Sequence, residues 1–306
     1  ELGARKIGLM LGPALAALML LFGPPEGLNH AAWGTGALMA LMAVWWATEA
    51  IPIPATSLLP LFVLPLVGAG SPAQTGSDYA NHIVILLLGG FIVALGIERW
   101  NLHQRIALNV ISRVGTSPGA IVFGFMLATA VLSMWISNTA STLMMVPIAI
   151  SASAVLGNVS KHFTTALLLG VCYAASIGGV ATPIGTPTNL IAISWLQTEA
   201  GAHIGFAQWM AFGLPAMALL LPVAWWNVTR GMPVRSENAE AVSAHVKSQL
   251  IGIGKMTVQE TRVAIVFGIT ATLWLLRLPL QLFLEASGIE LLANYGGAEV
   301  DMMIAI

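Results

Sequence analysis

Long apolar runs, separated by short polar segments, recur along the whole chain. A helix needs about 20 mostly apolar residues to cross a bilayer, and several runs approach that length while others are too short or too broken to cross alone. The runs that we interpret as helical segments are residues 7–22, 32–51, 55–70, 83–97, 120–133, 142–156, 164–177, 190–196, 209–228, 263–283 and a start near 300. The pattern predicts an all-α polytopic membrane protein.

Composition points to the same class. Hydrophobic residues make up 57% of the 306 positions and charged residues only 8%, whereas about a quarter of the residues in a soluble domain are charged. The lipid bilayer is therefore the expected environment, and a net charge of -1 gives no basis for a nucleic-acid partner. The single cysteine, Cys172, excludes a disulfide framework.

The first apolar run has two interpretations. It follows Arg5 and Lys6, as in a signal peptide, but it lacks a small-x-small cleavage site before Pro24, and many more runs follow. We interpret it as the first transmembrane helix. Prolines in the third run predict a kinked or partly unwound helix there: Pro52, Pro54, Pro60 and Pro65.

Basic residues orient the helices, because Lys and Arg are enriched on cytoplasmic flanks. With the N-terminus inside, residues 24–30, 71–81 and 197–208 fall outside, and none of them is Lys or Arg. The segments that fall inside carry Arg99, Arg105, Arg113, Lys161, Arg230, Arg235, Lys247, Lys255 and Arg262. Arg277, within a span, is the one basic residue outside this pattern.

This frame predicts two unusual features. Residues 162–196 cross an odd number of times, so one crossing interrupted at 181–189 fits best, because that segment is rich in helix breakers. Residues 118–157 go in and come back, either as two full spans or as a re-entrant hairpin. We favour a hairpin that turns at 133–142, because each arm has only about 15 residues and the turn is polar.

Two polar segments carry the candidate chemistry, residues 133–142 and 176–189. Unwound backbone inside a bilayer is tolerated only where protein buries it or it lines a cavity, and in transporters ions and substrates bind there. Ser133 and Ser137 are four residues apart, so both hydroxyls are expected on one side of the first hairpin arm. The alternative is that these hydroxyls only mediate helix contacts. Glu49 is a weaker candidate ion or proton site, and a structural role at a helix end is favoured for it.

Several motifs resemble those of the divalent anion/sodium symporters. They are residues 46–52 (WATEAIP), residues 89–107 (GGFIVALGIERWNLHQRIA), Ser137-Asn138-Thr139, and Gly185-Thr186-Pro187 before Asn189, with Thr188 where the family usually has a second proline. The resemblance implies a sodium site formed by Ser133, Ser137, Asn138 and the backbone around Gly185. It also implies substrate contacts from Asn138, Thr139, Thr186 and Pro187.

The same resemblance implies a homodimer with inverted repeats and an elevator mechanism, in which a mobile transport domain moves past a fixed scaffold. The implied layout is residues 1–98 as scaffold and dimerisation helices, 99–118 as an interfacial helix, 119–200 as the transport-domain hairpin and broken helix, 201–232 as a transmembrane helix, 233–261 as a cytoplasmic connector and 262–306 as the start of a second repeat, apparently truncated. In the interfacial helix, Leu102, Ile106, Val110 and Val114 are predicted to form the apolar row. The connector is predicted to be a solvated linker.

The function implied is secondary active transport of small dicarboxylate or tricarboxylate anions in the bacterial inner membrane, coupled to sodium. An exchanger without sodium coupling and a transporter of another oxyanion remain alternatives. A membrane-embedded enzyme is not expected, because the sequence has no His-Glu-x-x-His and no close intramembrane pair of aspartates.

The chain is expected to be the N-terminal part of a transporter. It closes on residues 301–306, an apolar run that has only begun, and it has one Ser-Asn-Thr segment where an inverted-repeat carrier needs a counterpart. The alternative is a compact protein that dimerises to supply the second half of the site.

The orientation can be tested by cysteine labelling in a Cys172→Ser background. An impermeant thiol reagent added outside is expected to label a cysteine at Ser77 or Gly201 and to leave one at Ser236 or Ser243 unlabelled. The opposite result at either pair would overturn the orientation derived from the basic residues.

Overall fold

The computed structural model describes residues 2–155, 161–202, 204–231, 239–286 and 304. Regular structure in these residues is helical, as predicted. The helices are α1 (Leu2–Phe22), α2 (His30–Thr48), α3 (Ile53–Ser57), α4 (Leu59–Leu66), α5 (Pro72–Tyr79), α6 (His82–Arg99), α7 (Leu102–Val114), α8 (Pro118–Ser133), α9 (Asn138–Val155), α10 (Lys161–Gly179), α11 (Pro187–Ala200), α12 (Phe206–Thr229), α13 (Ala239–Gly252) and α14 (Val258–Ala286). The run expected to start near residue 300 lies outside the described residues, apart from position 304.

Several helices have the length and composition of membrane spans. Within the described part of the chain they are Gly3–Phe22, Pro72–Arg99, His162–Gly179 and Phe206–Thr229, and Ile53–Leu66 and Pro118–Ser133 are shorter apolar helices. The chain is an integral membrane protein with several helical segments, as the apolar runs predict. It divides into two compact units, Glu1–Val84 and Ile85–Ile306.

In the first unit, α1 packs closely on α2. Gly8 and Gly12 of α1 face Thr48 and Trp45 of α2, where any larger residue would collide with those side chains. Glu49 ends α2 in a left-handed conformation (φ 46°) and forms an ion pair of 3.0 Å with Arg5. Both partners are largely exposed, so the pair contributes little stability. The geometry fits the structural role at a helix end that was favoured for Glu49.

The third apolar run is broken, as its prolines predict. It forms two short helices, α3 and α4, which meet at Leu58. The polar segment that follows contains α5, which Ser71 caps by accepting a hydrogen bond of 3.1 Å from Gln74 N.

In the second unit, α8 and α10 lie side by side and run in the same direction. Gly170 of α10 contacts Met126 of α8. About two turns further along α10, Gly178 contacts the backbone of Ala130. The interface is formed by fully buried residues that include Val122, Phe125, Met126, Ala130, Leu167, Val171 and Ala174. Small residues permit this close approach of two membrane helices.

Helix α9 turns back from the end of α8. Near its C-terminal end, Ser151 Oγ lies 3.0 Å from His245 Nε2 of α13. Helix α13 also packs on α7, the helix that precedes α8. The start of α8 and the end of α9 therefore lie on the same side, as the in-and-back path requires, and the depth of the turn in the bilayer stays a prediction.

One expectation about the α7–α13 region is wrong, and another is confirmed in part. Residues 239–252 are not a solvated linker but form α13, which buries Val242 and Val246 against α7 and α9; residues 233–238 lie outside the described part. The two valines are four apart and so share one helix face. The predicted apolar row of α7 is part of its packed face: Leu102 is buried, and Ile106 and Val110 are partly buried against the core. Ala107, Leu108 and Ile111, which the prediction left out, are buried as well.

Helix α7 is fastened to the start of α14 by a buried ion pair. Arg105 donates to both carboxylate oxygens of Glu260, from Nε at 3.1 Å and from Nη2 at 3.2 Å, and Nη1 donates to Gly254 O at 2.8 Å. Thr257 N donates to Glu260 at 2.7 Å, and Glu260 N donates to Thr257 Oγ1 at 3.1 Å, which is a capping box. The hydrogen bonds from Arg105 hold the pKa of Glu260 below its ordinary value.

Replacing Glu260 with Gln is expected to destabilise the protein by about 1–3 kcal/mol at neutral pH, because a charge-assisted bidentate contact is lost. A carboxylate with a lowered pKa stabilises the fold above its ordinary pKa and loses that contribution as pH falls through the lowered value. Thermal unfolding in detergent should therefore show a difference between wild type and variant that shrinks at acid pH. Arg262→Gln, at an exposed position, is the control, and equal shifts in both variants would contradict the assignment.

Candidate functional site

The turn between α8 and α9 places the first predicted segment. Helix α8 ends at Ser133 and α9 begins at Asn138, and the hydroxyl of Ser137 accepts a hydrogen bond of 3.2 Å from Ala140 N. Ser137 is thus the N-cap of α9. The spacing rule behind the expected pairing of Ser133 and Ser137 does not apply, because α8 stops at Ser133. That the two hydroxyls lie on one side stays a prediction.

The second segment interrupts a helix, as predicted. Helix α10 ends at Gly179 and α11 begins at Pro187. The interruption is shorter than the predicted 181–189 at its C-terminal end, since Pro187 occupies the first turn of α11. Proline suits that position, because its fixed φ is helical and its missing N–H would have had no partner in the helix.

Two buried side chains hold the interruption in place. Asn189 Nδ2 donates to Gly179 O and to Thr182 O, both at 2.8 Å. Thr182 Oγ1 donates to Met134 O in the hairpin turn and accepts from Gly185 N at 3.1 Å. These bonds join the broken helix to the hairpin. The sequence marked Asn189 and Thr182 only as members of a polar segment, because their partners are backbone atoms that no spacing reveals.

Glycines allow the two segments to touch. A Cβ at Gly179 would lie 3.0 Å from the side-chain amide carbon of Asn138. A Cβ at Gly185 would lie 2.5 Å from Gly179 O and 3.0 Å from Ser133 O. The fold therefore brings together Ser133, Asn138 and Gly185 of the predicted sodium set, and Ser137 lies in the adjoining turn.

Oxygen atoms converge at Ser133, which is fully buried. Its Oγ lies 2.7 Å from Ala175 O and 2.8 Å from Asn138 Oδ1. One hydroxyl carries one proton and can satisfy only one of these acceptors, so three oxygens share a single hydrogen. Such a set suits a hard monovalent cation, or else requires Asn138 to turn its amide nitrogen toward Ser133. The donor set present fits sodium.

The predicted substrate residues lie beside this cluster and nearer the surface. Thr139 and Pro187 are exposed, whereas Thr186 and Asn138 are half-buried. Thr139 follows the first residue of α9, and Thr186 and Pro187 lie at the start of α11. The oxygens around Ser133 are therefore buried. The starts of α9 and α11, with Asn138, Thr139, Thr186 and Pro187, form a more accessible rim beside them.

An aromatic cluster that was not predicted from the sequence anchors the hairpin turn. Trp135 stacks with Phe206 (centroids 6.1 Å apart) and Trp274 (6.5 Å), and it meets Phe267 edge-on at 5.0 Å. Phe206 begins α12, and the other two belong to α14. The three partners are far away in sequence, so no local periodicity pointed to them.

Gly178→Ala tests the close approach of α8 and α10 on which the site rests. The added methyl would lie 2.5 Å from the Cα of Ala130, and backbone cannot move aside as a side chain can. We expect a loss of about 1–3 kcal/mol, the usual cost of overpacking, measured as a lower melting temperature in detergent. Gly268→Ala in α14 has open space around it and should stabilise the helix by about 0.5–1 kcal/mol. Equal effects of the two substitutions would contradict the packing described.

Comparison with known proteins assigns the family. A family model described as "Citrate transporter" matches residues 43–305. A sodium-dependent dicarboxylate transporter, SdcS, from Staphylococcus saprophyticus is 41% identical over 285 residues, and the protein of the same name from Staphylococcus aureus (strain USA300) is 40% identical over 285 residues. Each match covers 89% of this chain and 54% of the relative, so the chain spans about half the length of these relatives. The chain belongs to the citrate transporter family, which confirms the resemblance to divalent anion/sodium symporters.

Proposed function

We propose that the protein takes part in sodium-coupled secondary transport of small dicarboxylate or tricarboxylate anions across the bacterial plasma membrane. The observation that carries this proposal is the meeting of four helix ends at one place. Helices α8 and α10 end at Ser133 and Gly179, and α9 and α11 begin at Asn138 and Pro187. C-terminal ends present carbonyl oxygens to cations, whereas N-terminal ends present N–H groups to anions. Relatives named sodium-dependent dicarboxylate transporters support it.

Sodium would be held by neutral oxygens. Ser133 Oγ, Asn138 Oδ1 and the backbone around Gly185 form the proposed set, and Ala175 O joins it through its contact with Ser133. Ser137 contributes through the hydroxyl that caps α9, which keeps a lone pair after accepting from Ala140 N. When bound, sodium supplies one positive charge beside the start of α9.

The anion would be held by the rim. Asn138 N and Thr139 N belong to the first turn of α9, where N–H groups have no acceptor within the helix. Thr139 and Thr186 add hydroxyls, and Pro187 shapes the start of α11. A carboxylate placed here would face helix N-termini, a favourable arrangement for a negative charge.

Transport is favoured over catalysis by the family and by the relatives named as transporters. The proposed contacts are neutral oxygens and N–H groups, which suit binding and release of an ion. The homodimer, the elevator movement and the domain layout are part of this proposal. Exchange without sodium remains the second candidate. If the Asn138 amide is turned so that its nitrogen donates to Ser133 Oγ, the cation set loses an oxygen, while the anion contacts at the starts of α9 and α11 remain.

Asn138→Ala is expected to abolish sodium-dependent dicarboxylate uptake, because it removes an oxygen from the cation set next to the start of α9. Uptake of labelled succinate into membrane vesicles, with a sodium gradient or with choline in its place, measures this. Expression and the elution volume in detergent should be unchanged. Thr198→Ala, whose exposed hydroxyl donates to Ser194 O at 3.0 Å, is the control. Wild-type sodium dependence in Asn138→Ala would sink the assignment, and counterflow without sodium in wild type would favour exchange.

A further inference from the structure

Ser141 is a buried hydroxyl that the fold leaves unsatisfied. Its side chain is fully buried in α9, and Oγ has no hydrogen-bond partner among the described residues. Other buried hydroxyls in this unit do have partners: Thr129 donates to Phe125 O at 2.7 Å, and Ser133 and Thr182 bond as described above. A buried polar group without a partner costs free energy and requires an explanation.

The position of Ser141 connects it with the cation set. Its backbone N donates to Ser137 O at 2.9 Å, so it lies one helical turn from Ser137 and three residues from Asn138. Residues three and four apart share a helix face. The face that carries Asn138 reaches Ser133 and Gly179, and one turn further along the same face Met145 is fully buried. Ser141 thus lies on the buried side of α9, one helical turn from the residues that form the oxygen cluster.

We propose that Ser141 supplies a further oxygen to the sodium site at the hairpin turn. This inference rests on the proposed function and adds a residue that the Ser-Asn-Thr motif does not contain. The hydroxyl is unsatisfied when no cation is bound and is satisfied when one is. The unsatisfied hydroxyl therefore destabilises the sodium-free protein. Because sodium binding removes this free-energy cost, the hydroxyl increases the affinity for sodium.

This linkage gives two effects of opposite sign from one substitution. Ser141→Ala removes the unsatisfied hydroxyl, so the melting temperature without sodium should rise. It also removes an oxygen from the cation set, so the sodium concentration that gives half of the thermal shift should increase about tenfold. Ser141→Thr keeps the hydroxyl and should keep the wild-type sodium midpoint. Ser153→Ala, on the same helix with a hydroxyl already bonded to Ile150 O at 2.9 Å, should change neither quantity.

The experiment is thermal unfolding of the purified protein in a sodium titration, with choline chloride keeping the ionic strength constant. A higher sodium-free melting temperature with an unchanged sodium midpoint in Ser141→Ala would overturn the inference and make Ser141 a packing residue only. An unchanged sodium-free melting temperature would also overturn it. If wild type shows no sodium-dependent shift while Ser141→Ala still raises the melting temperature, the proposed function fails, and the inference fails with it.

Discussion

The close approach of α8 and α10 is the contact on which the rest of the second unit depends. Gly178 brings the α10 backbone against Ala130, closer than any residue with a side chain permits. On either side of Gly178, this spacing lets Ser133 reach Ala175 O and lets Thr182 reach Met134 O. Without it, the end of α8 and the interruption of α10 would be two separate breaks. With it, they form one continuous polar structure inside an apolar bundle.

The polar structure is built without ionised side chains. An isolated charge in the membrane interior is costly, so a protein that must release its cation has reason to bind it with neutral oxygens. The proposed cation site fits this constraint, because its oxygens at Ser133, Asn138 and Ala175 belong to a hydroxyl, an amide and a backbone carbonyl. A buried ion pair, between Arg105 and Glu260, lies instead where α7 meets α14. The proposed cation site and the ion pair that joins α7 to α14 thus lie at different places in the unit.

Local composition predicted much of this arrangement. The polar turn after Ser133 and the breakers before Pro187 were visible in the sequence, because proline, glycine and hydroxyl residues act on the backbone at their own positions. The prolines around Leu58 predicted the α3–α4 break for the same reason. The buried face of α13 was not predicted, although the sequence carries a signal for it. Val242 and Val246 are apolar residues four apart in a polar segment, the spacing of one helix face.

Contacts between distant segments could not be predicted from the sequence. The stacking of Trp135 on Phe206 and Trp274, and the bonds from Asn189 to Gly179 O and Thr182 O, depend on how whole helices pack. The spacing rule used for Ser133 and Ser137 does not apply across the end of α8, where the helix stops. The packed face of α7 is wider than the predicted row, because its packing partners, α8 and α13, decide which residues are buried.

Hydrogen–deuterium exchange with and without sodium tests most directly whether the hairpin turn and the broken helix form one cation site. Sodium, compared with choline at equal ionic strength, should slow exchange in peptides covering residues 133–142 and 176–189 together, over the same concentration range. Peptides from α13, which lies away from the oxygen cluster, should exchange unchanged. Protection of only one segment, or protection elsewhere with both segments unaffected, would contradict a shared site.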